Sequence, residues 1–128
     1  MRAKIFTLDE ANRLLPEIIE LTQHAVTAVE RARAQAQFLS ELDEGSRRES
    51  LEHEIDNILR NWARQISELG VLPKGFFTCD FQSPKSDTYF CWTFGEQEIA
   101  FVHRVDQTFK DRVPLEDAVL NGYNISLN

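Results

Sequence analysis

The sequence predicts an α+β fold: a long antiparallel helical hairpin packed on a three-stranded antiparallel β-meander, with a short C-terminal helix or tail. Three observations predict it. Apolar residues recur every three or four positions through the first 70 residues, a break at 42–45 divides that stretch, and the period changes to two between residues 76 and 105. The expected organisation is a single domain over 1–128, with the helical hairpin at 1–70, the sheet at 71–107 and a tail at 108–128 that covers the sheet.

The first helix opens at Thr7-Leu8-Asp9-Glu10, the pattern of a capping box in which Thr7 and Glu10 satisfy each other's free amides. Its stripe runs through Leu14, Ile18, Leu21, Ala25, Ala28 or Val29, Ala32, Ala36 and Leu39, with Pro16 predicted to kink it about two turns in. After Leu42-Asp43-Glu44-Gly45 a second capping box, Ser46-Arg47-Arg48-Glu49, opens helix two. There the stripe is Leu51, Ile55, Ile58, Trp62, Ile66 and Leu69, and Gly70 stands where a C-terminal cap glycine belongs. So short a connection makes the two helices antiparallel neighbours.

Three strands follow at 76–81, 89–94 and 98–105. Alternation puts Phe77, Cys79 and Phe81 on one face, joined by Phe90, Trp92 and Phe94 and by Ile99, Phe101, His103 and Val105. Cys91 falls on the opposite face from Cys79, so both cysteines are expected as free thiols. In the tail, Val113 to Leu120 reads as a short helix ended by Gly122, and Phe109, Val113 and Leu115 are expected to cover the outer face.

Composition excludes several functions. The net charge is −7, with 9 basic and 13 acidic side chains before residue 71 and 5 and 8 after it, so no basic stripe awaits a nucleic acid. No apolar run has the length to cross a bilayer, and no signal-type apolar segment follows the N-terminus; no membrane partner and a cytoplasmic location are expected. Nothing resembles a nucleophile triad, a P-loop or a dinucleotide fingerprint.

Several residues are nevertheless candidates. His103 is expected among aromatic residues on the helix-facing side, as a core histidine or, with Cys79 or Asp106 nearby, as a metal ligand. Asp80, Arg104 and Arg112 could line a polar pocket between sheet and tail. His24 and His53 sit ~16 Å apart along the hairpin by helical rise, too far for one shared site. The helices outreach the sheet, and the uncovered end carries Phe38, Leu39, Leu42 and Leu51, a surface suited to a homodimer.

The segments FTLDEANRLLPEI, ELGVLPKG, CDF, CWTFGEQEIAFVHR and FKDRVPL together resemble the bacterial family of unknown function DUF2203, in order and over most of the chain. The resemblance implies Asp80, Trp92, Glu96, Glu98, His103 and Arg112 as motif positions and implies no chemistry. The expected function is that of a non-catalytic, dimeric scaffold or protein-interaction module without a cofactor. The alternative is a small-ligand or divalent-metal protein, or an enzyme, with its site near His103, Asp80, Glu98 and Arg112 and with His103 and Asp106 as metal candidates.

Overall fold

The computed structural model describes residues 3–42 and 45–118, apart from the side chain of Ser40. The chain runs α1 (Leu8–Glu41), α2 (Gly45–Glu68), β1 (Leu72–Lys74), β2 (Thr78–Gln82), β3 (Thr88–Thr93), β4 (Phe101–Arg104), a 3₁₀ turn (Phe109–Asp111), β5 (Val113–Pro114) and α3 (Leu115–Ala118). It is an α+β architecture of two long helices packed together, an antiparallel sheet and a short C-terminal helix. The expected break residues Asp43 and Glu44, and the tail beyond Ala118 with Val119, Leu120 and Gly122, lie outside the described residues.

The helix-start signal at Thr7 acts as a reciprocal cap. The Thr7 amide donates to Glu10 Oε1 at 2.9 Å, and the Glu10 amide donates to Thr7 Oγ1 at 3.1 Å. From there α1 continues unbroken through Pro16. Its buried row is Ala11, Leu15, Ile18, Thr22, Ala25, Val29 and Ala32, alternating steps of four and three. That row differs from the expected stripe, because Leu14 and Leu21 are half-buried flanks and Thr22 takes a core position. Thr22 is tolerated there because its hydroxyl accepts from the Trp62 indole N–H of α2 at 2.9 Å.

Helix α2 starts at Gly45, one residue before the expected Ser46 cap. Its expected stripe is the one that faces α1, with Trp62 and Ile66 buried and Leu51, Ile55 and Ile58 half-buried toward the hairpin's far end. At the near end Gly70 adopts φ +83, its amide donates to Ser67 O, and the Val71 amide reaches Ile66 O, the two bonds of a Schellman cap. The Lys4 amide donates to Gly70 O at 2.9 Å and the Phe6 amide to Gln82 O at 2.8 Å, so the N-terminal segment ties the cap to β2.

Among the described residues the sheet has five strands in the order β1-β2-β3-β4-β5, not three. The two additional strands are its edges, and both contain proline: Pro73 in β1 and Pro114 in β5. Proline lacks an amide to donate, which confines it to sheet edges and makes such segments read as breaks in a sequence. Val113 and Pro114 thus extend the sheet rather than lie across it.

Register also overturns one expected face. Cys79 pairs with Trp92, Phe81 with Phe90, and Phe90 with Val102, so these side chains share the helix-facing side. Asp80 pairs with Cys91, Cys91 with Phe101, and Tyr89 with His103, which places His103 and Phe101 on the outer face. The expected alternation from Ile99 to His103 fails because regular pairing begins only at Phe101. Ile99 is held in the core separately, its amide donating to Asn12 Oδ1 of α1 at 2.9 Å, while Ala100 O accepts from the Leu115 amide at 2.8 Å.

The core joins both layers: Leu15, Ile18, Trp62 and Ile66 from the helices meet Phe81, Phe90, Trp92, Ile99 and Val102. Phe6 packs edge-on against Phe81, and Trp62 edge-on against Phe77. Among the described residues, no helix is long and apolar enough to cross a membrane.

Candidate functional site

The reversed face of β4 brings together residues that alternation had separated. Asp80 on β2 and His103 on β4 lean toward each other above the intervening strand β3, and His103 Nε2 lies 3.0 Å from Asp80 Oδ1. Cys91, on β3 itself, completes the group, and one ligand atom from each of the three residues lies within 4.8 Å of the others. All are removed from solvent, at 2% exposure for Asp80, 0% for Cys91 and 2% for His103.

The second ring nitrogen fixes the orientation of His103. Nδ1 lies 2.7 Å from the carbonyl oxygen of Arg104, which can only accept, so Nδ1 carries a proton. With Nε2 facing the Asp80 carboxylate at 3.0 Å, the pair shares one further proton between them. Burial pushes His103 toward the neutral form, but the hydrogen bonds to Asp80 and to the Arg104 carbonyl, with Asp80's charge, outweigh it and hold its pKa above the ordinary value. Tyr89 braces the ring edge-on, with centroids 5.7 Å apart.

Cys91 is a thiol rather than a thiolate. Burial pushes it up to about 12, and Asp80 adds to the rise both as a negative charge and as a hydrogen-bond partner, against a smaller opposing pull from Arg112. Cys79 on the helix-facing side is likewise pushed up by burial. Neither cysteine is disulfide-bonded, as their opposite faces require.

Arg112 extends the polar face. It grips Glu96 with two nitrogens, Nη1 to Oε1 at 3.1 Å and Nη2 to Oε2 at 2.7 Å, and its guanidinium lies 4.0 Å from the Phe101 ring centroid and 4.1 Å from that of Phe109. Glu96 also accepts from the Thr93 amide at 2.9 Å, and its carbonyl accepts from the Trp92 indole at 2.8 Å, which fixes the hairpin around Gly95. Two hydrogen-bonded pairs, Arg112–Glu96 and His103–Asp80, thus flank Cys91, whose thiol Asp80 pushes up and Arg112 pulls down.

This face opens on a cavity of about 310 Å³. Asp80 and His103 line it together with Lys74, Thr78, Tyr89, Val105, Thr108, Phe109 and the exposed Phe76. Phe76 and Phe77 both adopt left-handed backbone, φ 57 and φ 56, in the turn between β1 and β2. Such a conformation disfavours bulky side chains by about 1–2 kcal/mol per residue. Phe77 offsets this by packing on Trp62, whereas Phe76 is 99% exposed and packs on nothing.

The remaining candidates divide. Glu98 is exposed and takes no part in the cluster, and Asp106 is exposed in the turn after β4, so neither joins Asp80 and His103. Cys79 is on the other side of the sheet from His103. Arg104 lies 3.6 Å from Asp87, away from the polar pocket expected to include it. His24 and His53 are exposed on separate helices. Sequence reading missed Cys91, which pairs directly with Asp80 and was visible only as the odd polarizable residue on an outer face. Phe38 and Leu42 are exposed, with Leu39 and Leu51 half-buried beside them at the hairpin's far end.

Fold and cluster define the class: an α+β protein with a helical hairpin on one face of an antiparallel sheet and a buried Asp–Cys–His group on the other. Residues 4–115 match the family described as Uncharacterized conserved protein (DUF2203), and the chain belongs to that family. No curated protein and no solved structure matches the chain.

Proposed function

We propose that the protein binds a small organic anion in the cavity above Asp80 and His103. The observation that carries this reading is a buried, hydrogen-bonded Asp80–His103 pair that lines an open cavity. For stability alone, a buried pair is rarely better than apolar side chains of the same volume, and polar groups gathered at the end of a concave site are the usual mark of ligand recognition. The paired Asp80 and His103 are close to neutral together, which leaves the Lys74 ammonium to set the sign of the ligand. Tyr89, Val105 and Phe109 supply apolar walls, and Thr78 and Thr108 supply hydroxyls. An anion with a flat apolar body fits those surroundings.

Benzoate is a direct probe. Titrated into isotope-labelled protein at millimolar concentration, it is expected to move amide resonances of residues 74–80 and 103–109, and Phe109→Ala or Lys74→Ala should weaken it several-fold. Absence of shifts, or shifts scattered over the helices, would sink the reading.

A second reading is favoured by a different observation. Phe38 and Leu42 are 60% and 53% exposed, beside a groove lined by Gln35, Leu39, Arg47, Ser50 and Leu51. Pairing with a second copy through this end would bury them, as a non-catalytic dimeric scaffold requires. Light scattering at micromolar concentration should then give twice the chain mass, reduced to one by Phe38→Glu; a monomer in the unaltered protein would exclude it.

A further inference from the structure

The geometry points to Asp80, Cys91 and His103 as a three-ligand site for a borderline-soft divalent cation of the zinc type, with its fourth position open to the cavity. The inference goes beyond anion binding and stands whether or not an organic anion enters.

The donor set is the first argument. Carboxylate, thiol and imidazole come from three neighbouring strands, converge within 4.8 Å, and are buried. Tetrahedral zinc with bonds of about 2.0–2.3 Å holds its ligand atoms about 3.3–3.7 Å apart, so Nε2 and Oδ1, now 3.0 Å apart, open slightly, and no pair within the 4.8 Å limit needs to close by more than roughly 1–1.5 Å. Such a mixed N/O/S set suits zinc rather than the oxygen-loving magnesium or calcium.

The surroundings are the second argument. His103 Nδ1 donates to the Arg104 carbonyl at 2.7 Å, which turns Nε2 toward the other two donors in the way outer partners orient metal-bound histidines. Arg112, held by Glu96, stands beside Cys91 and favours its thiolate. Burial works against that thiolate, and a doubly charged ion against the sulfur reverses the balance.

Charge and protons balance. Without metal, one proton lies between Nε2 and the Asp80 carboxylate and the thiol keeps its own, so the group has no net charge. On binding, the Nε2 and Sγ protons pass to solvent, and one dication faces two anions and a neutral imidazole, again with no net charge. Three protein ligands leave one position, and the cavity that Asp80 and His103 line is where a water or an anionic ligand could reach it.

The test uses full-length protein without a histidine tag, stripped with chelator and titrated with Zn²⁺ alone in competition with a chromophoric chelator. One equivalent should bind, and Cys91→Ser should weaken it at least ~10-fold. His24→Gln and His53→Gln, on exposed helix faces, should leave it unchanged. Co²⁺ in the unaltered protein should give tetrahedral d–d absorption and a thiolate charge-transfer band, a readout that does not depend on any variant folding. No stoichiometric binding, a Co²⁺ spectrum without the thiolate band, equal affinity in Cys91→Ser, or loss of binding in the His24 or His53 variants would each overturn the assignment.

Discussion

The two faces of the sheet are built on opposite terms. The helix-facing side carries Cys79, Phe81, Phe90, Trp92 and Val102, all buried and apolar, and they pack on Leu15, Ile18 and Ile66. The outer side carries Asp80, Cys91 and His103, equally buried but charged or polarizable, under Arg112 and beside a cavity. Equal burial with such different chemistry shows that concealment from solvent does not by itself mark a core. The inner face is stabilised by area removed from water. On the outer face each polar atom instead needs a named partner, and none of the buried side-chain polar atoms among the described residues lacks one.

Substitutions can break this contrast in graded steps. The largest effect is expected from Trp92→Ala on the inner face, about 3–5 kcal/mol by urea unfolding, as a large buried ring is replaced by a cavity. Arg112→Ala on the outer face should come next, at about 1.5–3 kcal/mol, since it leaves the Glu96 carboxylate without its two-pronged partner. Thr78→Val should lose about 1 kcal/mol in the same assay, because Thr78 and Thr93 share a hydroxyl–hydroxyl hydrogen bond of 2.9 Å across β2 and β3. The smallest change has the opposite sign. Phe76→Asn should raise stability by up to about 1 kcal/mol in thermal unfolding, because asparagine tolerates the left-handed backbone and no packing is lost. The same variant should weaken benzoate binding if the exposed ring serves the cavity's rim. A Phe76→Asn protein that is both less stable and unchanged in binding would leave that ring without the role given to it.

The helices and the first half of the sheet were legible because their signals are local. The Thr7–Glu10 cap, the glycine at Gly70 and the alternation through Phe81, Phe90 and Trp92 each depend on neighbours a few residues away. What escaped depends on distant partners. Thr22 enters the buried row only because Trp62, forty positions on, offers it an N–H. Ile99 departs from the alternation because Asn12, on the first helix, holds its amide. That one contact marks the place where β4 loses step with its preceding residues. The register of β3 with β4, which pairs Tyr89 with His103 and Phe90 with Val102, then sets His103 beside Asp80 and Cys91 on the outer face rather than beside Phe90 on the inner one. The edge strands were hidden differently, since Pro73 and Pro114 read as interruptions.

The placement of His103 is therefore the point on which the account turns, and a double-mutant cycle on Asp80 and His103 tests it most directly. Unfolding free energies would be measured for the unaltered chain, Asp80→Ala, His103→Ala and the double variant, all in the presence of chelator. Contact at 3.0 Å between buried groups predicts strong coupling, with the double variant destabilised by at least about 1 kcal/mol less than the two single losses combined. Additivity within about 0.5 kcal/mol, the result for residues on opposite faces of a sheet, would contradict it.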